Sequence, residues 1–339
     1  MNQQVLVVGN PDPVHVGHHL VEAANSLQIR CQLLDVRQAS SGNRWLNRFF
    51  WHRLDRRPPF ISRFNADLLS LAAKSNPTHV LTTGISPVVE STLRQLASQG
   101  IKTLNFLTDD PWNPSHRARG FRRALTHYHS VFSPRHANLD DLRNLGCKRA
   151  SYLPFGYSES SHFVAADSRS GNPPTVPAGD LLFAGGADAD RLEYIRALID
   201  AGIRPILFGN GWNRIPWAAP YYRGFISIED QQYLVPRVPI CLVLVRRANR
   251  DGHSMRSYEI PAMGGCMITE DTPDHRTMFG EDGVSTRYFT TTDELVIQTR
   301  RLLDSPPLRA ELAAESRRRI TAGRNRYADR LESMLASGD

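Results

Sequence analysis

The sequence predicts an α/β protein built from two doubly wound domains, each around a parallel sheet. Short apolar runs alternate with helical stretches, which is the pattern of strands joined by crossover helices. This alternation stops after Phe155 and resumes at Asp180, and residues 156–179 have the Ser, Gly, Asn and Pro content of a linker. At 339 residues the chain is long enough for two domains of ordinary size.

The predicted elements follow one another at regular spacing in both halves. Predicted strands cover residues 4–9, 31–36, 79–83, 103–107, 130–132, 150–153, 180–184, 204–208, 240–245 and 266–269. Predicted helices cover 18–27, 87–98, 138–145, 191–201, 295–303, 307–321 and about 323–335, with one more beginning near Glu259. Because such sheets bind ligands at the carboxyl ends of their strands, we expect sites on the loops that follow the strands.

These elements predict the domain organisation. We expect an N-terminal domain over residues 1–160, a linker over 161–179 and a C-terminal domain over 180–320. A last helix over 321–339 could return to the N-terminal domain.

Composition narrows the class of protein. Residues 1–160 hold 19 Lys+Arg and 11 Asp+Glu, a balance of +8, whereas the rest of the chain balances at −1. This basic half could meet phosphate, anionic lipid or an acidic acceptor, or reflect a general bias towards Arg. The four cysteines lack CxxC spacing, and neither a signal peptide nor a membrane span is evident, so we expect a cytoplasmic protein.

Residues 44–57, RWLNRFFWHRLDRR, combine aromatic and basic side chains. They could form an amphipathic helix that contacts a membrane peripherally or grips an acceptor. The alternative is a helix that packs its apolar edge on the first domain. No zinc-finger, RNP or helix-turn-helix signature indicates a nucleic-acid partner.

One segment of the second half combines two carboxylates with a helix start. Asp251 lies on a predicted loop, Glu259 falls in the first turn of the next helix, and Gly264 comes near its end. Helix N-termini attract phosphate, and a nearby carboxylate can accept hydrogen bonds from a diol. A sugar nucleotide carries both groups. The alternative is an Arg256–Glu259 ion pair that only stabilises the helix start.

The spacing Asp251-x7-Glu259, followed by Ala262-Met263-Gly264, resembles the E-x7-E signature of group 1 glycosyltransferases with the GT-B fold. Residues 255–262 are similar to the spore-maturation CgeB-like branch of that group. Asp251 departs from the usual Glu by one methylene. The resemblance implies two Rossmann-like domains facing across a central cleft. It also implies a donor site in the C-terminal domain, with Glu259 on a ribose or sugar diol and Arg256 near the diphosphate.

The loop that opens the second domain carries a glycine pair. Gly185 and Gly186 would let a phosphate approach the backbone, and Arg191 could neutralise a departing diphosphate, a role the resemblance also implies. Asp188-x-Asp190 imitates the metal-binding D-x-D of single-domain glycosyltransferases, but we interpret these aspartates as helix N-cap residues.

Two other loops at strand ends carry candidate site residues. Gly209, Gly211 and Trp212 permit a second close approach of the donor, or form a simple turn. Asp109 and Asp110 precede Pro111 at a strand end of the first domain, where one of them could act as a base or hold an acceptor hydroxyl. The alternative is a turn that opens with Asp.

A histidine loop favours a different class of enzyme. Residues 12–18, DPVHVGH, resemble the HxGH signature of nucleotidyltransferases, in which His15 and His18 would stabilise a pentavalent phosphate. The partner motif of those enzymes is missing. In a glycosyltransferase, His15, His18 or His19 would instead deprotonate the acceptor.

We therefore predict a glycosyltransferase that moves a sugar from a nucleotide-diphosphate donor to an acceptor hydroxyl, with retention and without a metal or cofactor. The catalytic candidates are Asp109, Asp110, His18 and Arg191. The acceptor could be a glycan, a protein or a small metabolite. A nucleotidyltransferase and a non-catalytic nucleotide-sugar-binding protein are the alternatives.

Overall fold

The computed structural model describes residues 3–40, 57–116, 118–163 and 178–337. Their contacts form two compact units, each built around one β-sheet. The first unit comprises residues 1–154, 248–250 and 327–339, and the second comprises 155–247 and 251–326. Every strand pair in both sheets is parallel, so the predicted α/β class with two Rossmann-like domains is confirmed.

Strands and helices alternate along most of the described chain. The strands are β1 Gln4–Gly9, β2 Arg30–Asp35, β3 His79–Thr83, β4 Lys102–Phe106, β5 Ser130–Ser133, β6 Ala150–Tyr152, β7 Leu181–Ala184, β8 Pro205–Phe208, β9 Cys241–Val243, β10 Met267–Glu270 and β11 Arg287–Phe289. The helices are α1 Val16–Ser26, α2 Ile61–Ser75, α3 Glu90–Ser98, α4 Arg119–Leu125, α5 Ala137–Leu145, α6 Glu159–His162, α7 Ala189–Asp200, α8 Ile228–Leu234, α9 Arg256–Met263, α10 Pro273–Phe279, α11 Thr292–Asp304, α12 Pro306–Ala322 and α13 Tyr327–Ala336.

The six strands of the first unit lie in the order β2-β1-β3-β4-β5-β6. Residues 5–8 of β1 are fully buried, as expected of an apolar strand covered on both faces. Strand order reverses between β1 and β3, so the loops after these strands diverge and leave a crevice. The loop after β1 ends at His15, the N-cap residue of α1, and His18 and His19 follow at the start of that helix.

The five strands of the second unit lie in the order β11-β10-β9-β7-β8. Here the order reverses between β7 and β9, which places the loops after these two strands at the ligand-binding position of such sheets. Helix α7 follows β7 and buries one face, formed by Arg191, Tyr194, Ile195 and Leu198. This i, i+3, i+4, i+7 spacing fixes an arginine on the inner face of the helix.

Several elements were absent from the prediction, the longest being α2. Helix α13, predicted as a C-terminal helix, belongs to the first unit and packs against α1. Residues 44–56 lie outside the described residues, so peripheral membrane contact through residues 44–57 stays a prediction. Within the described ranges, no helix has both the length and the apolar character needed to cross a membrane.

Candidate functional site

Two glycine loops meet at the carboxyl edge of the second sheet. Gly209 has φ +122°, and a Cβ there would lie 2.4 Å from the Gly185 carbonyl oxygen, so only glycine allows this approach. The Trp212 indole N–H donates to the same oxygen at 2.7 Å. Because Trp212 is fully buried, its side chain supports the glycine loop from inside. Gly211, at φ +95°, sets the turn that carries Trp212.

Arg191 is the buried cation of this edge. Arg191 is only 8% exposed, and its guanidinium donates weakly to the Gly186 and Leu244 carbonyl oxygens at 3.3 and 3.4 Å. Its Nε is buried and has no hydrogen-bond partner among the described residues. The guanidinium is therefore held beside the glycine loop with part of its donor capacity unused.

Arg246 is a second cation of the site, which the sequence analysis missed. Its Nε donates to Asp188 Oδ2 at 2.8 Å, and Arg191 Nη1 lies 3.1 Å from the same oxygen. Asp188 is the N-cap residue of α7, as predicted, but its side chain makes no capping hydrogen bond and pairs with the two arginines. The same prediction was wrong for Asp190, which lies inside the first turn of the helix. The signal was present in the sequence, since Arg246 directly follows the predicted strand 240–245.

Burial dominates the electrostatics of Arg191. Desolvation lowers the pKa of its guanidinium, and the neighbouring Arg246 acts in the same direction. Asp188, Asp190 and Asp251 oppose this shift. Asp251, the first carboxylate of the D-x7-E segment, thus lies within electrostatic reach of Arg191 although 60 positions separate them in the sequence.

The end of β10 adds another ionisable group that sequence reasoning missed. Glu270 accepts a hydrogen bond from the Val245 backbone N–H at 2.7 Å and one from Arg247 at 3.2 Å. Burial raises the pKa of the Glu270 carboxyl, and these two donors only partly offset the effect. The side chain ties the loop after β9 to the end of β10.

Glu259 lies in the first turn of α9, as predicted, and is 1% exposed. It pairs with Arg256, so the ion pair proposed from the sequence is present. His162 Nε2 lies 3.9 Å from Glu259 Oε1, while His162 Nδ1 accepts the Ser158 backbone N–H. Gly264 is the left-handed C-cap at the other end of the helix, away from this carboxylate.

Two histidines hold the segment that joins Asp251 to α9. His253 Nδ1 lies 2.8 Å from Asp274 Oδ2, and the Ser257 hydroxyl lies 2.9 Å from His275 Nε2. Burial lowers the pKa of His275 to about 4. The neutral ring donates from Nδ1 to the Glu270 carbonyl oxygen and accepts from Ser257, which connects α9 to β10.

In the first unit, Asp110 is fully buried and its carboxylate is saturated. Arg250 donates to both oxygens at 2.7 and 3.0 Å, and Asn138 and the Trp112 backbone N–H donate to Oδ1. The structure therefore gives Asp110 an anchoring role in the turn. Of the predicted pair of carboxylates, Asp110 is thus held within the fold, and its predicted catalytic role stays a prediction, as does that of Asp109.

The histidines after β1 differ in their surroundings. His15 is the N-cap residue of α1, and desolvation lowers the pKa of its imidazole, although Asp12 and Asp109 oppose this. His18 is partly exposed, with Nε2 3.5 Å from Glu22 Oε1. His19 is buried, with Nδ1 3.2 Å from the other Glu22 oxygen. Asp109 and His15 are thus brought near each other at the crevice of the first sheet.

Comparison in sequence finds one family model that matches part of the chain. Residues 191–336 match a family described as glycosyl transferase-like, a range that begins at Arg191 and includes Arg246, Asp251 and Glu259. No curated protein sequence matches the chain.

Comparison in structure gives the fold. Sucrose-phosphate synthase from Thermosynechococcus elongatus aligns over 99% of both chains with TM-score 0.70 and 14% identity. α,α-Trehalose 6-phosphate synthase from Burkholderia multivorans aligns over 100% of this chain and 96% of its own, with TM-score 0.64 and 11% identity. A UDP-GlcNAc 2-epimerase from Neisseria meningitidis bound to UDP-GlcNAc aligns over 99% of this chain and 100% of its own, with TM-score 0.57 and 11% identity.

At these identities the structural likeness establishes the fold, which is the GT-B fold expected from the sequence. Together with the family match it supports a glycosyltransferase. The CgeB-like branch stays a prediction.

Proposed function

We propose that this protein transfers a sugar, a hexose or a related residue, from a nucleotide-diphosphate donor to an acceptor hydroxyl. One observation carries the proposal: a buried arginine with unused donor capacity lies beside a glycine loop at the switch point of the second sheet. Such a point binds phosphates because backbone approach and positive charge coincide there. Solved structures with this fold include one whose title names UDP-GlcNAc as its ligand.

In this proposal the second unit binds the donor. Arg191, Arg246 and the Gly185–Gly186 backbone would hold the diphosphate and stabilise the charge that develops on it as the glycosidic bond breaks. Glu259 would accept hydrogen bonds from a ribose or sugar diol, with Arg256 orienting its carboxylate. These cations supply the role that a metal plays in other transferases, so we expect turnover without added metal.

The first unit would take the acceptor at the carboxyl edge of its own sheet. Asp109 and the histidines after β1 are the groups that could hold or deprotonate its hydroxyl. We expect retention of anomeric configuration, from the resemblance of the D-x7-E segment, and NMR of the product anomer would test it. An inverted product would give the histidines the role of catalytic base.

The first test is a thermal-shift panel of UDP, GDP, dTDP, ADP, CTP and ATP, each with magnesium and with a chelator. A ligand at 100 times its dissociation constant adds about 2.7 kcal/mol of stability. We expect one nucleoside diphosphate to raise the melting temperature equally in both conditions. A shift only with ATP or CTP and magnesium would overturn the proposal and favour the HxGH-type nucleotidyltransferase.

Glu259→Ala refines the donor assignment. Loss of hydrogen bonds to a charged group should weaken binding of that nucleoside diphosphate or its sugar by about 1.5–3 kcal/mol. Glu229→Ala is the matched control, since Glu229 also lies in the first turn of a helix but is exposed. Unchanged affinity in Glu259→Ala would remove this carboxylate from the donor site.

Binding alone does not distinguish transfer from other reactions of nucleotide sugars. Release of nucleoside diphosphate from the donor, increased by an acceptor, would support the transferase. Conversion of the donor to its sugar epimer without such release would instead assign an epimerase, as in the Neisseria neighbour.

A further inference from the structure

A carboxylate of the chain lies where the proposed site would receive a phosphate. Asp188 Oδ2 contacts both Arg246 at 2.8 Å and Arg191 at 3.1 Å. Its other oxygen, Oδ1, lies 3.9 Å from the position of a Cβ built on Gly186. The carboxylate is thus placed over the glycine loop and between two guanidinium groups.

This position is not required to start the helix. The backbone carbonyl of Asp188 accepts the Arg191 N–H at 2.9 Å, and the side chain makes no capping hydrogen bond. An aspartate at an N-cap normally binds the exposed backbone N–H groups of the first turn. Here the carboxylate pairs with the two arginines instead. The backbone N–H groups at the same helix start therefore still offer a site for an anion.

The pairing also leaves Arg191 incompletely satisfied. Its Nε is buried and unpartnered within the described ranges, and its bonds to the Gly186 and Leu244 carbonyl oxygens are long. A diphosphate offers more acceptor oxygens and more negative charge than one carboxylate. It would therefore satisfy Arg191 better than Asp188 does.

We propose that Asp188 is an internal counter-anion that occupies the diphosphate position until a donor displaces it. This inference rests on the proposed function and adds a residue that limits donor affinity. The carboxylate keeps Arg191 and Arg246 from repelling each other in the empty site, and it competes with the phosphates of the donor. Asp188 is 38% exposed, so it can turn to solvent when displaced.

The test is the affinity of Asp188→Asn for inorganic diphosphate and for the nucleoside diphosphate selected by the panel, measured by calorimetry without metal. Removal of the competing charge should tighten both about tenfold, equivalent to about 1.4 kcal/mol. Arg246→Gln should weaken both. Asp190→Asn is the matched control: it removes the same charge from the same helical turn, where Asp190 accepts the Arg247 N–H and acts on Arg191 only at longer range, without an ion pair to it in the described part of the chain. We expect a change below about twofold there.

The inference is wrong if Asp188→Asn does not tighten the binding of diphosphate. If Asp188→Asn binds diphosphate as the wild type does, or more weakly, the carboxylate only organises the arginines. Thermal melting checks that the variant is folded, and Asp188→Ser supplies the same test should the amide disturb the loop. If neither wild type nor variants bind any nucleoside diphosphate, both this inference and the proposed donor site fail; if only the sign is wrong, the donor site stands.

Discussion

The loops at the ends of the two sheets each contain a buried charged side chain, and these two side chains differ in how completely they are hydrogen-bonded. In the first unit, Asp110 is buried and receives four hydrogen bonds, two of them from Arg250. In the second, Arg191 is almost as buried, but its Nε lacks a described partner and its ion pair is with a half-exposed aspartate. Removing one partner of a saturated buried charge destabilises the fold, whereas an incompletely satisfied charge is available to a ligand.

The largest expected effect concerns Asp110, the fully hydrogen-bonded charge of this comparison. Asp110→Ala should lower the free energy of unfolding by about 3–4 kcal/mol, because it leaves the Asn138 amide and the Trp112 backbone N–H without their acceptor, whereas Arg250 keeps its pair with Asp141. Urea unfolding measures it, with Asp140→Ala as the control for an exposed aspartate. Nucleoside diphosphate affinity of the folded fraction should not change. A stable Asp110→Ala that has lost only turnover would return this carboxylate to the catalytic candidates.

A pH titration tests the second unit, where the ring of His275 is buried in its neutral form. His275 has a pKa of about 4 in the folded protein against 6.5 when unfolded, so the unfolded chain binds a proton first as pH falls. Its stabilising contribution is therefore present above about pH 6.5 and lost towards pH 4, a loss of about 3 kcal/mol. Urea midpoints from pH 7 to pH 4 should fall more steeply in the wild type than in His275→Gln. Equal slopes would contradict the buried neutral ring.

Arg191→Gln tests the ligand-binding side. Losing a charged donor should weaken nucleoside diphosphate binding by about 2 kcal/mol, or roughly thirtyfold. Arg196→Gln is the control, because Arg196 lies on the same helix in an exposed pair with Asp200. If Arg191→Gln mainly unfolds the protein and its folded fraction binds the nucleoside diphosphate as before, Arg191 stabilises the fold as Asp110 does and does not bind the ligand.

The smallest effect concerns the support of the glycine loop. Trp212→Phe removes the indole hydrogen bond to the Gly185 carbonyl, worth about 1 kcal/mol of stability. We also expect weaker nucleoside diphosphate binding, since the loop loses its fixed position. Trp217→Phe, which removes a half-buried indole of the same segment, should leave binding unchanged. Equal effects of the two substitutions would show that Trp212 acts by packing alone.

Much of the fold was predictable because the pattern is local. Strand β1 has the predicted bounds, since the four apolar residues at its centre are buried on both faces. Helix α2 was missed, although Phe64, Leu68 and Ala72 repeat at helical spacing on its buried face. The periodic signal for this helix is therefore present in the sequence.

The site was only partly predictable because its contacts are not local. The glycine pair and Arg191 follow a predicted strand, so the edge of the sheet already indicated them. Asp188 and Arg246 are 58 positions apart, and their pairing depends on β7 and β9 being neighbours. Sequence spacing alone places both arginines at that edge but does not show which carboxylate they share.

The membership of α13 in the first unit has a consequence for biosynthesis. Tyr327 begins this helix and stacks on His19 of α1, with ring centroids 5.1 Å apart. Domains generally fold as units, the N-terminal one first as the chain emerges from the ribosome. Here α1 can pack on β1 and β2, but its contact with α13 cannot form until residues 327–336 have been translated. The first unit is therefore completed only after the whole second unit has been synthesised. Until then, the face of α1 that α13 covers stays exposed.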